Sequence, residues 1–442
     1  MSLPLWNTYE PDFASRWAAL TGKLGLEEGL TAGPAAREPA IKIVRRIIDD
    51  VRARGDEALV DYAEQFDGCR LTPERLRVPT EQIEEAVGRC PDELLAALRK
   101  AADRIRRFQE HILCPQPEAL REGGRTLRLR YRPVDSAGLY VPGGTASLAS
   151  TVLMTALPAK VAGVERIVMV SPPRPDGGIS DDRLAAAHVA GVDEIYRIGG
   201  AGAIAALAYG TESVEPVDFI AGPGNIYVTL AKKEVFGQVG IEALPGPSEV
   251  VIIADESVPP EWLAADLISQ AEHNPGSAVL LTPSEETARA AVAAVEEQLA
   301  DLPRAHRTWR CLGDYGAAVV TESLGECVTL CNDLAPEHLQ IMTEQPEEVL
   351  RDIRHAGAVF LGRWTPVPMG DYVAGPSHVL PTGSTARYAS GLSAHDFRKR
   401  TSLIRYDREA LKEDAGPLSR LARAEGLEGH ARTVELRTEK DA

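Results

Sequence analysis

An adjacent acid and imidazole, Glu337 and His338, form a pair of side chains that could move protons. They follow Pro336, a residue suited to the first position of a helix, so the sequence predicts both in the first turn of a helix. The helix dipole at that position favours an ionised carboxylate and a neutral imidazole, which would make the two residues a pair of general bases. A helix start with a favourable glutamate and an incidental histidine explains the same residues.

A second group of polar side chains could hold a metal ion. Gln270 and His273 lie three residues apart near the end of a helix predicted for EWLAADLISQA, so both can face the same way. Asp371 and His378 lie in a stretch too rich in Gly and Pro for a continuous helix, which predicts that turns present both side chains. Each residue has a plainer explanation, because Gln and His cap helix ends and Asp forms Asx turns. Glutamine is also an uncommon zinc ligand.

Two glycine-rich segments could approach a phosphate group. Gly222–Asn225 follows the apolar run VDFI, and Gly199–Ala205 follows EIYRI, so small residues lie where each strand gives way to a helix. Gly200, Gly202 and Ala205 match a G-x-G-x-x-A spacing, but no acid for a ribose follows at the usual distance. Tight turns account equally well for both segments.

The elements that must position these residues alternate between strands and helices. Helical spacing over Ile41–Val51, a break at Gly55 and a further helix predict a helical first hundred residues. From Ala137 onward, apolar runs ending in glycine or proline are followed by alanine-rich stretches, which is typical of parallel α/β sheets. The runs are AGLYVPGG, RIVMVSPP, EIYRIGG and VDFIAGPGN. A second series predicts strands at Val250–Ala254, Ala278–Thr282, Ala317–Val320 and Gly357–Leu361.

The segment from Gly391 to the end is polar and has a predicted helix that stops at Gly426. It is too small to bury a core of its own, so we expect it to pack on something else, such as a second subunit. Glu425 and His430 lie in this segment, and as isolated residues they are interpreted as surface side chains.

Composition narrows the class of protein. The chain has 442 residues and a formal net charge of -17, which argues against a partner that is nucleic acid or an anionic membrane. The six cysteines have no CxxC spacing and are expected to be reduced, mostly buried thiols. The N-terminal residues do not resemble a signal peptide, and charged residues interrupt the most apolar stretch, 151–170, so we expect a cytoplasmic protein without a membrane span.

Taken together, these segments resemble the histidinol dehydrogenase family, in family order and from about Val44 to Arg437. The phrases that carry the resemblance are GLYVPGG, STVLMTALPAKVAGV, GGAGAIAALAYGTESV, GPGN, PGPSEVVIIAD, DLISQAEH, APEHLQI, GDYVAGPSHVLPTG and EGLEGHARTVELR. Any one of these phrases is weak evidence, but an ordered set of nine is highly specific.

The resemblance implies one zinc ion per subunit and an active site shared across an intertwined homodimer. The implied zinc ligands are Gln270, His273, Asp371 and His430, the last supplied by the partner subunit. The implied catalytic pair is Glu337 and His338. The implied substrate contacts are the zinc ligands and His338 together with Ser248, His378 and Glu425, of which Glu425 also crosses from the partner.

The resemblance also implies NAD as cofactor, contacted by residues at the positions of Tyr140, Gly202 and Asn225. Gly202 departs from the family, which can have a glutamine there, so the affinity or pose of NAD is expected to differ. The implied fold is α/β, with two Rossmann-like parallel-sheet domains, a helical N-terminal segment and a C-terminal dimerisation tail. The expected boundaries are 1–36 for the N-terminal segment, 37–136 with 249–390 for the first α/β domain, 137–248 for the second domain on the NAD side, and 391–442 for the tail.

The implied reaction is the four-electron oxidation of L-histidinol through L-histidinaldehyde to L-histidine, the last steps of histidine biosynthesis, with two NAD consumed. Zinc would act mainly as a template, His338 would accept the alcohol proton, and Glu337 would activate a water for the aldehyde. Cys331 is the one thiol near the pair that could instead form a thiohemiacetal. The alternatives are a relative that oxidises another polar alcohol such as a sulfonated diol, a non-catalytic zinc-stabilised dimer and, more distantly, a zinc hydrolase.

Overall fold

The computed structural model describes residues 3–24, 34–143, 148–273, 276–300, 302 and 305–439. The chain forms two units, one of Met1–Ile112 with Asp135–Phe397 and the other of Leu113–Val134 with Arg398–Ala442. The first unit contains two parallel sheets, and the second contains one antiparallel sheet. The predicted α/β class with parallel sheets is confirmed.

The strands are β1 Leu5–Asn7, β2 Leu120–Glu122, β3 Arg125–Pro133, β4 Ser136–Tyr140, β5 Arg166–Val170, β6 Glu194–Tyr196, β7 Phe219–Ala221, β8 Gly240–Ile241, β9 Ser248–Ala254, β10 Gly276–Thr282, β11 Gly316–Val320, β12 His338–Met342, β13 Ala358–Leu361 and β14 Arg398–Tyr406. The helices are α1 Phe13–Leu24, α2 Pro34–Arg54, α3 Asp56–Asp67, α4 Thr80–Arg89, α5 Asp92–Ile112, α6 Ala149–Ala162, α7 Asp181–Ala190, α8 Gly200–Tyr209, α9 Ile226–Val235, α10 Pro260–Ala271, α11 Glu285–Leu299, α12 Ala305–Tyr315, α13 Leu324–Leu334, α14 Pro346–Leu350, α15 Val367–Tyr372, α16 Arg408–Ala424 and α17 Glu428–Glu439.

The five-stranded sheet of the first unit has the order β6-β5-β4-β7-β8 and is parallel throughout. Parallel neighbours require a crossover, and α6 to α9 supply most of these connections. Four of the strands are those predicted from the apolar runs ending in glycine or proline, so that prediction is confirmed. Helix α6 is almost wholly buried, which explains why its sequence is apolar on nearly every side. No helix in the described ranges is long and apolar enough to cross a membrane.

The six-stranded sheet has the order β1-β11-β10-β9-β12-β13 and is also parallel. Its four predicted strands are present, but the predicted helix start at Pro336 is wrong. Helix α13 ends at Leu334, Ala335 adopts a left-handed φ of 50°, and Pro336 and Glu337 lead directly into β12. All five residues of β12 are buried between β9 and β13, so packing inside the sheet overrides the helix-start pattern.

Apart from the one expected at Pro336, the predicted helices of the first unit are confirmed. Gly55 has φ 56° and separates α2 from α3, as the break in the apolar spacing predicts. Helix α10 covers the predicted EWLAADLISQA segment. The prediction that turns present Asp371 needs correction, because Asp371 lies in the short helix α15, which follows Pro366 and has Pro368 in its first turn.

The second unit consists of an antiparallel sheet of order β14-β3-β2 and the paired helices α16 and α17. The predicted helix of this region is confirmed as α16. Strand β14 was not predicted, because its sequence RKRTSLIRY is rich in charge and most of its residues are exposed. The buried apolar residues of α16 and α17 are Ala410, Ala422, Ala431 and Val434.

Candidate active site

The predicted catalytic residues lie in a cavity between the amino-terminal edge of the six-stranded sheet and the carboxyl-terminal edge of the five-stranded sheet. Ser248 is the first residue of β9 and His338 the first of β12, so both lie at the amino-terminal edge of the six-stranded sheet. Pro142 and Pro223 follow β4 and β7, at the carboxyl-terminal edge of the five-stranded sheet. All four residues line one cavity of about 1000 Å³, called the large cavity below. Its size suits a small polar substrate together with part of a dinucleotide.

The large cavity brings together most of the residues singled out from the sequence. Its lining includes Asn225, Ser248, His273, Glu337, His338, Asp371 and His378. Gln270, Tyr140 and Gly202 are not among the lining residues. Glu425 and His430 belong to the second unit, where Glu425 ends α16, His430 lies in α17, and both are exposed.

Glu337 and His338 are buried, with exposed fractions of 5% and 4%, and are held by the neighbouring strand. The backbone N–H of Glu249 donates to Glu337 Oε2 at 2.9 Å, and the carbonyl oxygen of Glu249 lies 3.0 Å from His338 Nδ1. A carbonyl oxygen can only accept, so in the neutral ring Nδ1 carries the proton. The free acceptor of the imidazole is therefore Nε2, which is buried and has no hydrogen-bond partner among the described residues.

Carboxylates concentrate negative charge around this imidazole. Burial lowers the pKa of His338, but Glu337, 3.4 Å from Nδ1, and Asp371, 3.7 Å from Nε2, more than offset this effect and raise the pKa to about 9. Burial raises the pKa of Glu337, and burial raises the pKa of Glu249 to about 8. The described residues thus leave an excess of buried acid, which a cation would stabilise.

His378 and Asp371 are linked through the loop that follows α15. His378 Nδ1 lies 3.0 Å from the carbonyl oxygen of Asp371, and His378 Nε2 lies 3.2 Å from the Thr151 hydroxyl. Burial lowers the pKa of His378, with Asp371 opposing the shift, so the ring is neutral and accepts from Thr151 at Nε2. Burial raises the pKa of Asp371, but its interaction with His338 outweighs burial and lowers it overall.

Gln270 and His273 lie at the end of α10. The Gln270 side chain is 2% exposed, and its amide nitrogen has no hydrogen-bond partner within the described residues. His273 Nδ1 lies 3.3 Å from the carbonyl oxygen of Gln270, which leaves His273 Nε2 available. The amide oxygen of Gln270 and Nε2 of His273 are the atoms with which these two side chains could bind a metal ion.

Across the ranges that the structure describes, no group of three His, Cys, Asp or Glu residues lies close enough to hold a metal ion. The predicted zinc site would not produce such a group in one chain. Only His273 and Asp371 would come from the first unit in those residue classes, because the third ligand is an amide and the fourth belongs to another subunit. The first unit would supply His273, Asp371 and the amide oxygen of Gln270 to such a site.

Two of the predicted cofactor residues lie at strand ends, since Tyr140 is the last residue of β4 and Asn225 follows β7. Asn225 caps α9 by accepting from Tyr227 N at 3.0 Å and Val228 N at 3.2 Å. The Tyr140 hydroxyl accepts from the backbone N–H of Gly200 at 3.2 Å, so Tyr140 lies at the start of α8. Gly202 is buried within α8.

A buried ion pair, which the sequence did not predict, lies behind the Gly222–Asn225 turn. Lys232 Nζ lies 2.6 Å from Glu242 Oε1, and the side chains are 0% and 3% exposed. The same oxygen accepts from the backbone N–H of Gly222 at 2.7 Å, while Lys232 also donates to the Gly222 carbonyl oxygen at 3.3 Å. Both backbone polar groups of Gly222 are thus held by one charged pair.

Comparison with known proteins identifies the family. The family model described as histidinol dehydrogenase matches residues 33–438. The histidinol dehydrogenase of Synechococcus sp. is 52% identical over 395 residues, which are 89% of this chain and 91% of that protein. The chain belongs to the histidinol dehydrogenase family.

Further members of the histidinol dehydrogenase family match over most of their length. The protein from Geobacillus kaustophilus is 49% identical over 422 residues, which are 95% of this chain and 98% of that protein. The crystal structure of histidinol dehydrogenase from Elizabethkingia anophelis has a TM-score of 0.91 at 34% identity and covers 99% of this chain and 98% of that chain. The likeness therefore extends from sequence to the whole fold.

Within this histidinol dehydrogenase fold, Cys331 is a poor nucleophile. Its side chain is fully buried, and burial strongly raises the pKa of its thiol, whereas a reactive cysteine needs a lowered pKa and access. The expectation of reduced, mostly buried thiols is confirmed, since all six cysteines are free and only Cys114 is exposed.

Glu249 and Thr151, which hold the predicted catalytic pair and His378, were not predicted from the sequence. Glu249 lies 89 residues from His338, and Thr151 lies 227 residues from His378. No local spacing links such pairs. The available signal was the position of Glu249 one residue after Ser248, at the start of a strand that the sequence does predict.

Proposed function

We propose that this protein oxidises L-histidinol to L-histidine in two NAD-dependent steps, through L-histidinaldehyde. The observation that carries the proposal is the buried pair Glu337 and His338 at the large cavity, in a chain about half identical to histidinol dehydrogenases. That identity disfavours a different polar alcohol as the substrate. A non-catalytic dimer is disfavoured because a scaffold does not need a buried imidazole that lies between two carboxylates and has an unpartnered Nε2.

His338 in its neutral form is the base for the alcohol proton; because its pKa is raised to about 9, the fraction of neutral rings, and with it the rate, should increase with pH up to about 9. Nδ1 is engaged by the Glu249 carbonyl oxygen, so the ring can accept a proton only at Nε2, the atom without a partner in the described part of the chain. NAD, when bound, would accept the hydride from the hydroxyl carbon, and His338 Nε2 takes the hydroxyl proton. The hydrogen bond from His338 Nδ1 to the Glu249 carbonyl oxygen joins β12 to β9 and keeps the ring in one orientation while its charge changes.

Glu337 activates water for the second oxidation. Oxidation of an aldehyde to an acid needs an oxygen atom from water, which gives a hydrate that can release the second hydride. Glu337 is ionisable, and its raised pKa makes it a stronger base than an exposed glutamate. The backbone N–H of Glu249 holds Oε2, so the carboxylate keeps one orientation.

The residues that would hold zinc, one ion per subunit, are Gln270, His273 and Asp371, with His430 of the partner subunit. When bound, zinc would orient the imidazole and amino nitrogens of the substrate as a template. Ser248 and His378 line the same cavity and would contact the substrate, together with Glu425 of the partner subunit. Both ring nitrogens of neutral His378 are held, by Thr151 and by the Asp371 carbonyl oxygen, so the residue would present its ring to the substrate without adding charge.

NAD would lie at the carboxyl-terminal edge of the five-stranded sheet, with Asn225 and Tyr140 near it. In parallel α/β sheets this edge is the usual place for a dinucleotide, because helix N-termini there present free N–H groups. Asn225 and Pro223 line the large cavity, which connects this edge to the catalytic pair.

The exposed apolar side chains of the second unit support a homodimer. Leu120 is 62% exposed, Ile404 71% and Leu421 67%, although each is an apolar residue on a strand or helix. Apolar side chains clustered on a small unit are typical of surfaces that another chain covers. A second copy would bring Glu425 and His430 to the large cavity.

The stoichiometry of the reaction tests the function. Purified protein is incubated anaerobically with L-histidinol, NAD and zinc, and both NADH and histidine are measured. We expect two NADH for each histidine, since each oxidation transfers one hydride. A Cys331→Ala variant should keep this ratio and most of the rate, because no thiol takes part. Absence of NADH with L-histidinol, alongside NADH from a sulfonated diol, would refute the proposed substrate.

Subunit mixing tests the shared site. Variants His338→Asn and His430→Ala should each be inactive alone. If His430 crosses to the partner, a mixed dimer contains one site with both wild-type residues, so refolding the two variants together should restore activity. Continued inactivity of a mixture whose heterodimers are verified by two different tags would refute the shared site and leave the assigned reaction standing.

A further inference from the structure

A second cavity, lined by arginine, lies apart from the large cavity. It has a volume of about 430 Å³ and shares no lining residue with the large cavity. Five arginines line it, namely Arg75, Arg77, Arg89, Arg174 and Arg197, against three acids, Glu74, Asp176 and Asp181. In a chain with a formal net charge of -17, such a concentration of positive charge is unexpected.

Arg197 is the buried arginine of this arginine cavity, with an exposed fraction of 5%. Its Nη1 donates to the carbonyl oxygens of Arg75 at 2.7 Å and Arg77 at 2.8 Å, and its Nη2 donates to Gln82 Oε1. Its Nε is buried without an acceptor in the described residues. Neutral oxygens therefore hold the guanidinium, and its charge is not balanced by a carboxylate in contact.

Two of the exposed arginines are also unbalanced. Arg89 makes two hydrogen bonds to Asp181, at 2.9 and 2.8 Å, and Arg174 lies 3.9 Å from Asp176. Arg75 and Arg77 line the cavity and form no ion pair with an acid in the described residues, although the charge of Arg77 contributes to lowering the pKa of Glu194. With Arg197 they leave three guanidinium groups around one cavity whose charge a ligand could neutralise.

The charges are close enough to act on one ligand. Burial lowers the pKa of Arg197, and the charge of Arg75 lowers it further. Arg75 Nη2 would lie 3.5 Å from a Cβ added to Gly177, so the Arg75 guanidinium lies against the glycine turn at the cavity wall. Gly177 has φ 83°, and its N–H donates to the Arg174 carbonyl oxygen at 2.8 Å, which fixes the turn.

We propose that the arginine cavity binds a small anion that carries a phosphate group. Guanidinium groups bind phosphate oxygens through paired, charge-assisted hydrogen bonds. A ligand with a single carboxylate could neutralise only one of the three unbalanced arginines, whereas a phosphate group can carry more negative charge. An anion there would compensate the buried charge of Arg197 together with the charges of Arg75 and Arg77. The site is independent of the catalytic pair.

Isothermal titration of the zinc-loaded protein with inorganic phosphate and pyrophosphate tests this site. The variant Arg75→Gln/Arg77→Gln removes both unbalanced exposed charges, and the matched control is Arg99→Gln, an exposed arginine of α5 outside the cavity. We expect saturable pyrophosphate binding that the double variant weakens by about tenfold or more and the control leaves unchanged. No saturable binding to the wild type, or equal binding to the double variant, would overturn the proposal.

Two further arms fix the ligand class and the location. Malonate, a dicarboxylate, should bind more weakly than pyrophosphate, and equal affinity would contradict phosphate recognition. Pyrophosphate should still bind in the presence of saturating NAD. Competition between the two ligands would overturn the proposal of a separate site, because the arginine cavity would then be part of the NAD site. Loss of fold is separated from loss of binding by the unfolding midpoint of the double variant, and by its L-histidinol oxidation, which should match the control.

Discussion

Breaking the ion pair behind the Gly222 turn should weaken both the fold and the binding of NAD. In a Lys232→Met variant, Glu242 keeps a side chain that is 3% exposed but loses the ammonium 2.6 Å away. Removing one partner of a buried pair typically costs about 3–5 kcal/mol, because the remaining charge is left uncompensated. Glu242 Oε2 already lacks a partner within the described residues, so that carboxylate has little other support.

Urea unfolding of the variant and of the wild type measures this cost directly. A matched Lys232→Met/Glu242→Leu variant removes both charges, so it should recover most of the loss and retain only about 1–3 kcal/mol for the unpaired Gly222 N–H. The single variant should also raise the KM for NAD, because Gly222 begins the turn that Asn225 ends. A loss below about 1 kcal/mol, with an unchanged KM, would refute a structural role for the pair.

Four further outcomes follow from the site and its surroundings. Glu337→Gln should lower oxidation of the aldehyde by about 10²–10⁴-fold and spare the first hydride transfer, measured separately with L-histidinaldehyde and L-histidinol; equal losses would contradict its role with water. Asp371→Asn should release zinc during dialysis against a chelator, measured by elemental analysis, and retention equal to the wild type would remove it from the ligand set. Gly202→Gln should lower the free energy of unfolding, because an added Cβ would face Leu59 at 3.5 Å, Tyr62 at 3.7 Å and Ile47 at 3.9 Å and the polar amide would be buried among them; an unchanged urea midpoint together with a lower KM for NAD would instead support a cofactor role for this position. Burial raises the pKa of Asp67 from 3.8 to about 6, so the folded state favours the protonated acid; stability relative to Asp67→Asn should fall as pH rises from about 4 to about 6, and a pH-independent difference in urea midpoint would disprove this.

The sequence predicted those elements whose pattern is local. Parallel strands such as β5 and β10 are continuous apolar runs, because both faces are covered, and they were predicted with small boundary errors. Strand β12 was missed because Pro336 and Glu337 imitate a helix start. Strand β14 was missed because its pairing with β3, not its own composition, makes it a strand.

The candidate site was predictable in its residues but not in its geometry. Glu337, His338 and Asp371 were named from their types and from family resemblance, and the structure places all three at the large cavity. Their mutual distances depend on contacts between segments far apart in the chain, such as Glu249 with His338. Single-sequence spacing carries no information on contacts of that range.

The support for the catalytic pair comes from the peptide backbone of residue 249, through its N–H to Glu337 and its carbonyl to His338. Any residue except proline would preserve both hydrogen bonds, since each uses main-chain atoms. The orientation of the acid and the imidazole is therefore set by the pairing of β9 with β12, and it should be sensitive to any slip in the alignment of these strands, whereas the buried Glu249 side chain has a separate task, accepting from the backbone N–H of Gly383 at 2.8 Å.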